Sequence, residues 1–131
     1  MAADRELLRE KLETMAKAAA AKAHLRRLGQ LFSETVLIEV DQEQFYLTFE
    51  KGGVIEIKQG PSLKTPWRFA LRVDGDALMK FWEAVPQPGY HDIFGLVKYG
   101  HGRIDGDILA LVKNLRFFKE FMALGRTEAG T

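Results

Sequence analysis

The sequence predicts a single α+β domain built around one hydrophobic core. Three observations carry this reading. Apolar residues near the N-terminus recur at three- and four-residue steps, and from residue 34 the period falls to two. Twice, at 72–81 and 103–112, a strand-like Arg-Val or Arg-Ile runs into Asp-Gly-Asp and then into an apolar helical pattern. At 131 residues the chain is long enough for one proper core and too short for two.

Residues 4–28 are rich in Ala, Leu, Glu, Lys and Arg, all good helix formers. Leu8, Leu12, Met15, Ala19 and Ala23 form one narrow apolar stripe, and Gly29 supplies a stop. Val36, Ile38 and Val40 then alternate with Leu37 and Glu39. After a turn at 41–43, Phe45, Leu47 and Phe49 alternate with Tyr46, Thr48 and Glu50. A second turn at Lys51-Gly52-Gly53 leads into a strand over 54–58. Short strands joined by tight turns predict an antiparallel meander. Residues 59–66 form a loop by their Gly and Pro content. The fourth strand is predicted with Trp67, Phe69, Leu71 and Val73 on its buried face and Arg68, Ala70 and Arg72 on the wet one. Leu78, Phe81, Trp82 and Val85 step at helical spacing until Pro86-Gln87-Pro88-Gly89. A short helix is expected over 91–99, closed by Gly100. A fifth strand follows over 101–105, then a last helix from about 108 to 124.

The four carboxylates of the repeated Asp-Gly-Asp invite a metal reading. A calcium loop needs several more oxygen ligands and a distal Glu, and neither copy has them. Asp76 and Asp107 stand directly before helical patterns, where an N-cap belongs, with Asp74 and Asp105 bracing the turns. No metal and no cofactor are therefore expected. His24, His91 and His101 are scattered without ligand spacing, and no nucleophile elbow, phosphate loop or dinucleotide fingerprint is present. His91-Asp92 reads as a helix start; its alternative is an acid/base pair, in which Asp105 is a second candidate.

Net charge is +1, which gives no footprint for nucleic acid. The absence of cysteine excludes disulfides and thiolate chemistry. No apolar run approaches a membrane span, and the acid-bearing start is not a secretory signal, so the cytoplasm is the expected compartment. Residues 1–30 hold seven Lys/Arg against four acids. Such a basic helix can contact an anionic membrane transiently, or it is a solvated face with Arg26 and Arg27 at the negative helix end.

The last helix concentrates the apolar surplus. On a helical wheel Ile108, Leu109, Leu111, Val112, Leu115, Phe118 and Met122 fill one broad sector, facing the sheet. Phe117, Phe121 and Leu124 gather on the opposite side, Phe121 nearest the edge; a homodimer seam would use them so. With Phe81, Trp82 and Phe94, these side chains form either a plain core or a lined cavity for an apolar ligand.

The order of elements, with Gly102-Arg103-Ile104-Asp105-Gly106-Asp107 before the terminal helix and Val73-Asp74-Gly75-Asp76-Ala77-Leu78 at the central junction, resembles the sterol carrier protein type two family. The resemblance covers roughly residues 33–123. It implies a five-stranded antiparallel sheet covered by helices, with an apolar tunnel between sheet and helices. It also implies non-covalent carriage of a sterol, fatty acid, phospholipid or fatty acyl-CoA, with no enzymatic chemistry. The tunnel lining would then be Phe81, Trp82, Phe94, Val97, Leu111, Leu115, Phe118, Phe121 and Met122. The family's peroxisomal members end in a targeting tripeptide, whereas this chain ends Glu-Ala-Gly-Thr. The expected organisation is an N-terminal helix over 1–32, a lipid-binding unit over 33–124 and a disordered tail over 125–131. Two alternatives stand beside the carrier: a small enzyme acting on a steroid-like substrate, and a homodimeric interaction module without a ligand.

Overall fold

The computed structural model describes residues 4–126, so the predicted tail lies outside the described residues except for Gly125 and Arg126. Helix α1 spans Arg5–Ala21, capped by Asp4, whose carboxylate accepts from the amides of Glu6 (2.9 Å) and Leu7 (3.3 Å). Its stripe of Leu8, Leu12, Met15 and Ala19 is buried. The single helix predicted through residue 28 is in fact two. Lys22 is extended (φ −101°, ψ 111°), and α2 restarts over Ala23–Leu28. At 100° per residue Leu25 would point well away from the Ala19 side of α1. The break at Lys22 lets Leu25 turn inward, while Ala23, counted in the predicted stripe, is exposed.

The strands are β1 (Thr35–Val40), β2 (Glu43–Glu50), β3 (Gly53–Gln59), β4 (Phe69–Val73) and β5 (Gly102–Gly106), in the spatial order β3-β2-β1-β4-β5. The β1-β2-β3 meander and the β4–β5 pair are antiparallel, as expected. The β1–β4 pair is parallel, with Val36 opposite Phe69 and Val40 opposite Val73, so the five-stranded sheet is mixed rather than wholly antiparallel. The cause is the connection after β3, which carries the chain back across the sheet before β4 begins. On the way the Tyr46 hydroxyl donates to the Ser62 carbonyl (3.0 Å). Trp67 packs with Leu37, Tyr46 and Ala70 on the outer face rather than with Phe69, because it precedes the strand and is not bound by its alternation.

Helices cover the other face: α3 (Gly75–Phe81), α4 (Ile93–Lys98), α5 (Ile108–Lys113) and α6 (Leu115–Ala123). Residues Val36, Ile38, Val40, Phe45, Leu47, Phe49, Phe69, Leu71 and Val73 supply the sheet's side of one core, into which α1 and α2 also place their buried side chains. At one edge of this core Gly29 and Gly52 touch. A Cβ on Gly29 would stand 2.7 Å from the Gly52 Cα and 2.7 Å from the Phe117 ring, and Gly52 has φ +82°.

The Asp-Gly-Asp copies are used differently. Asp107 caps α5, accepting from the Ala110 amide (3.1 Å). In the first copy the cap position belongs to Asp74, not Asp76, which lies in the first turn; the Gly75 amide donates instead to Asp41 (2.9 Å). The predicted continuous terminal helix breaks at Asn114 (φ −122°, ψ 27°).

Candidate functional site

The break at Asn114 resets the helical phase, and this decides which residues of the last two helices face the core. On α6 Phe117, Phe118, Phe121 and Met122 are all buried, so the predicted seam of Phe117, Phe121 and Leu124 does not exist as a surface; Leu124 packs partly buried against the core. That seam requires one unbroken helix through residue 114. Leu115, predicted to face the sheet with Phe118, is instead 39% exposed.

The rings of α6 interlock with the strands. Phe118 meets Phe69 edge-on at 5.2 Å, and Phe121 meets Phe49 edge-on at 5.1 Å. Phe117 lies 5.4 Å from Phe32, which in turn lies 5.0 Å from Phe49. From the other helices come Phe81 and Trp82 at the end of α3, Leu111 of α5, and the half-buried Phe94 and Val97 of α4. Thus the structure brings eight of the nine predicted lining residues into one apolar cluster and leaves Leu115 outside. Phe32 was missed because it stands alone between elements with no periodic neighbour; Phe49 and Phe69 were legible only as strand residues.

Trp82 is the junction of this cluster with the surface. Its indole N–H donates to the Met122 carbonyl (2.8 Å), tying α3 to α6. Gly125 lies against it so closely that a Cβ there would stand 2.4 Å from the indole nitrogen. The Lys11 ammonium sits 5.4 Å over the ring and donates to the Gly125 carbonyl (2.9 Å). Arg126 donates to the carbonyls of Phe81 and His91 (3.0 Å each), and burial lowers its pKa from the ordinary value. Beside Trp82 a mainly apolar groove of about 540 Å³ runs between α1 and α3, with Leu7, Leu8, Lys11 and Met79 among its walls. Leu7 gave no signal in sequence because it falls off the α1 stripe.

Both carboxylates proposed for acid/base work are engaged in structural bonds, and His91 is exposed. Asp92 caps α4, accepting from the amides of Phe94 (2.8 Å) and Gly95 (3.1 Å), as a helix start requires. Asp105 accepts from Arg72 (2.7 Å) and Arg103 (3.1 Å), and the Arg72 hydrogen bond holds its carboxyl below the usual range, which weakens it as a base. A second, polar cleft of about 390 Å³ holds Tyr90 and His101, whose hydroxyl and Nε2 are 3.3 Å apart, with Asp74 3.9 Å from Nδ1. Among the described residues no three His, Asp or Glu side chains are grouped as a metal centre requires. No helix among them is long and apolar enough to cross a membrane.

No family model matches the sequence, and no curated protein matches it. Solved structures do match. A conserved hypothetical protein of Thermus thermophilus superposes with a TM-score of 0.70 at 11% identity, over 93% of this chain and 90% of that one. Sterol carrier protein 2 gives 0.70 at 13% identity, over 92% of this chain and 96% of that one. The sterol carrier protein domain 2 of Helicoverpa armigera gives 0.61 at 9% identity, over 98% of each chain. The chain has the sterol carrier protein type two fold.

Proposed function

We propose that the protein binds a hydrophobic small molecule without covalent chemistry and carries it. The ligand would be a sterol, fatty acid, phospholipid or fatty acyl-CoA. The observation that supports this best is a fold shared over nearly its whole length with proteins called sterol carriers, closed by a helix that presents three Phe and a Met to the sheet. In this reading Phe118, Phe121, Met122, Leu111, Phe81, Trp82, Phe94 and Val97 touch the ligand. The groove between α1 and α3 is its point of access, since Leu8 and Trp82 belong both to the groove and to the core.

The driving force is burial of ligand hydrocarbon. At roughly 0.8 kcal/mol per methylene, about ten buried methylenes supply about 8 kcal/mol before ordering costs. Once those costs are subtracted, affinity for such a chain should be no tighter than about micromolar. Carriage would be cytoplasmic, and a protein that leaves its cargo unchanged fits the commitment of Asp92 and Asp105 to structural bonds. The test is titration with a fluorescent fatty acid. Saturable binding that sterol, fatty acid or acyl-CoA displaces supports the proposal, and its absence with all three classes overturns it.

A further inference from the structure

Helix α5 exposes an apolar surface that the core does not use. Only Leu111 of its six residues is buried, while Ile108 (47% exposed), Leu109 (60%), Val112 (55%) and the adjoining Leu115 (39%) face outward. A contiguous patch of large aliphatic side chains on a small domain marks a contact surface. Its charge indicates the kind of contact. From Ile108 to Lys119 the chain carries three cations, Lys113, Arg116 and Lys119, and no acid, Lys119 being paired with Asp92 (3.6 Å). Lys113 is exposed and makes no ion pair among the described residues; Arg116 remains 70% exposed although paired with Glu120 (2.9 Å). Asp107, the acid before the patch, is taken up by the cap and lies 3.6 Å from Arg68. Arg68 also binds Glu34 (2.8 Å), and the 94%-exposed Leu31 stands three residues before Glu34 in the chain.

We propose that α5 is a docking surface for anionic phospholipid membranes, its aliphatic side chains entering the acyl boundary and Lys113 and Arg116 meeting headgroups. A short helix with an aliphatic face rimmed by cations is the arrangement that interfacial binding requires. A second copy fits less well. In a two-fold contact the patch would meet itself and oppose like charges, over a helix only about 9 Å long. The basic α1 fits less well too, because Leu8, Leu12, Met15 and Ala19 point into the core and Leu7 is its one exposed large apolar side chain among the described residues. The inference stands whether or not the interior holds a ligand.

The absence of cysteine allows a clean test. Val112→Cys and, on the exposed side of α1, Lys17→Cys are each labelled with an environment-sensitive fluorophore and mixed with vesicles of phosphatidylcholine alone or with phosphatidylglycerol. The label at 112 is expected to shift to the blue on anionic vesicles only, and the label at 17 to stay unchanged. In co-sedimentation, Lys113→Glu with Arg116→Glu should weaken binding at least about 25-fold, from about five-fold per cation. Leu109→Asp with Val112→Asp should abolish it, both double variants melting within a few degrees of the wild type. A shift at 17 without one at 112, or equal binding to neutral vesicles, overturns the proposal. So does a concentration-dependent dimer that Leu109→Asp with Val112→Asp dissociates, found without vesicle binding.

Discussion

Phe118→Ala probes the region where a ligand would lie. The ring is 1% exposed and edge-on to Phe69 at 5.2 Å. Deleting a buried ring costs about 3–5 kcal/mol, of which the edge-to-face pair accounts for about 0.5–1.5. For a domain of this size each kcal/mol lowers the melting temperature by roughly 3–5 °C, so a drop of about 10–25 °C is expected. The emptied space should also change the response to lipid. A ligand at a hundred times its Kd stabilises by about 2.7 kcal/mol. In the variant, lipid that fills the vacated volume binds more tightly, so at equal concentration it should restore more stability than it adds to the wild type. The assay is urea unfolding of both proteins with and without fatty acid. A loss below about 1 kcal/mol would refute the packing of Phe118 against Phe69, and a fatty acid that stabilises neither protein would refute an interior that admits lipid.

Asp107→Ala should cost about 1 kcal/mol through loss of the α5 cap, and Ca²⁺ or Mg²⁺ should leave the melting temperature of wild type and variant alike unchanged. Gly52→Ala should cost about 1–3 kcal/mol in the same unfolding assay, because its Cβ would stand 2.8 Å from the Gly29 Cα at φ +82°. Asp105→Asn should lower stability at pH 7. Its carboxyl is held below the ordinary value by Arg72, so the stabilisation is fully present above the unfolded pKa of about 3.9 and is lost as pH falls through the folded one. The difference in melting temperature between variant and wild type should therefore stay constant above about pH 4 and narrow as pH falls further.

Elements whose signal is local were legible in the sequence. The alternation in Val36–Val40 and Phe45–Phe49 located two strands and their inner faces, since side chains of a strand must alternate. Size and helical spacing found Phe81, Trp82 and Phe118 as core-facing residues. What failed depended on single backbone dihedrals or on distant partners. Asn114 leaves the helical region, and one such residue was enough to put Leu115 outside and Phe117 inside. Lys22 did the same to Ala23 and Leu25. The parallel β1–β4 pairing was hidden because it depends on the course of a loop. The groove beside Trp82 joins Leu7 and Met79 from helices far apart in the chain, which no periodicity reports.

Native mass spectrometry of the protein as purified, followed by denaturing extraction, tests the carrier reading most directly. The expected result is a species heavier than the bare chain by the mass of a lipid, which denaturation releases intact and chemically unchanged. A bare chain throughout, which also fails to take up fatty acid, sterol or acyl-CoA added in excess, would contradict it.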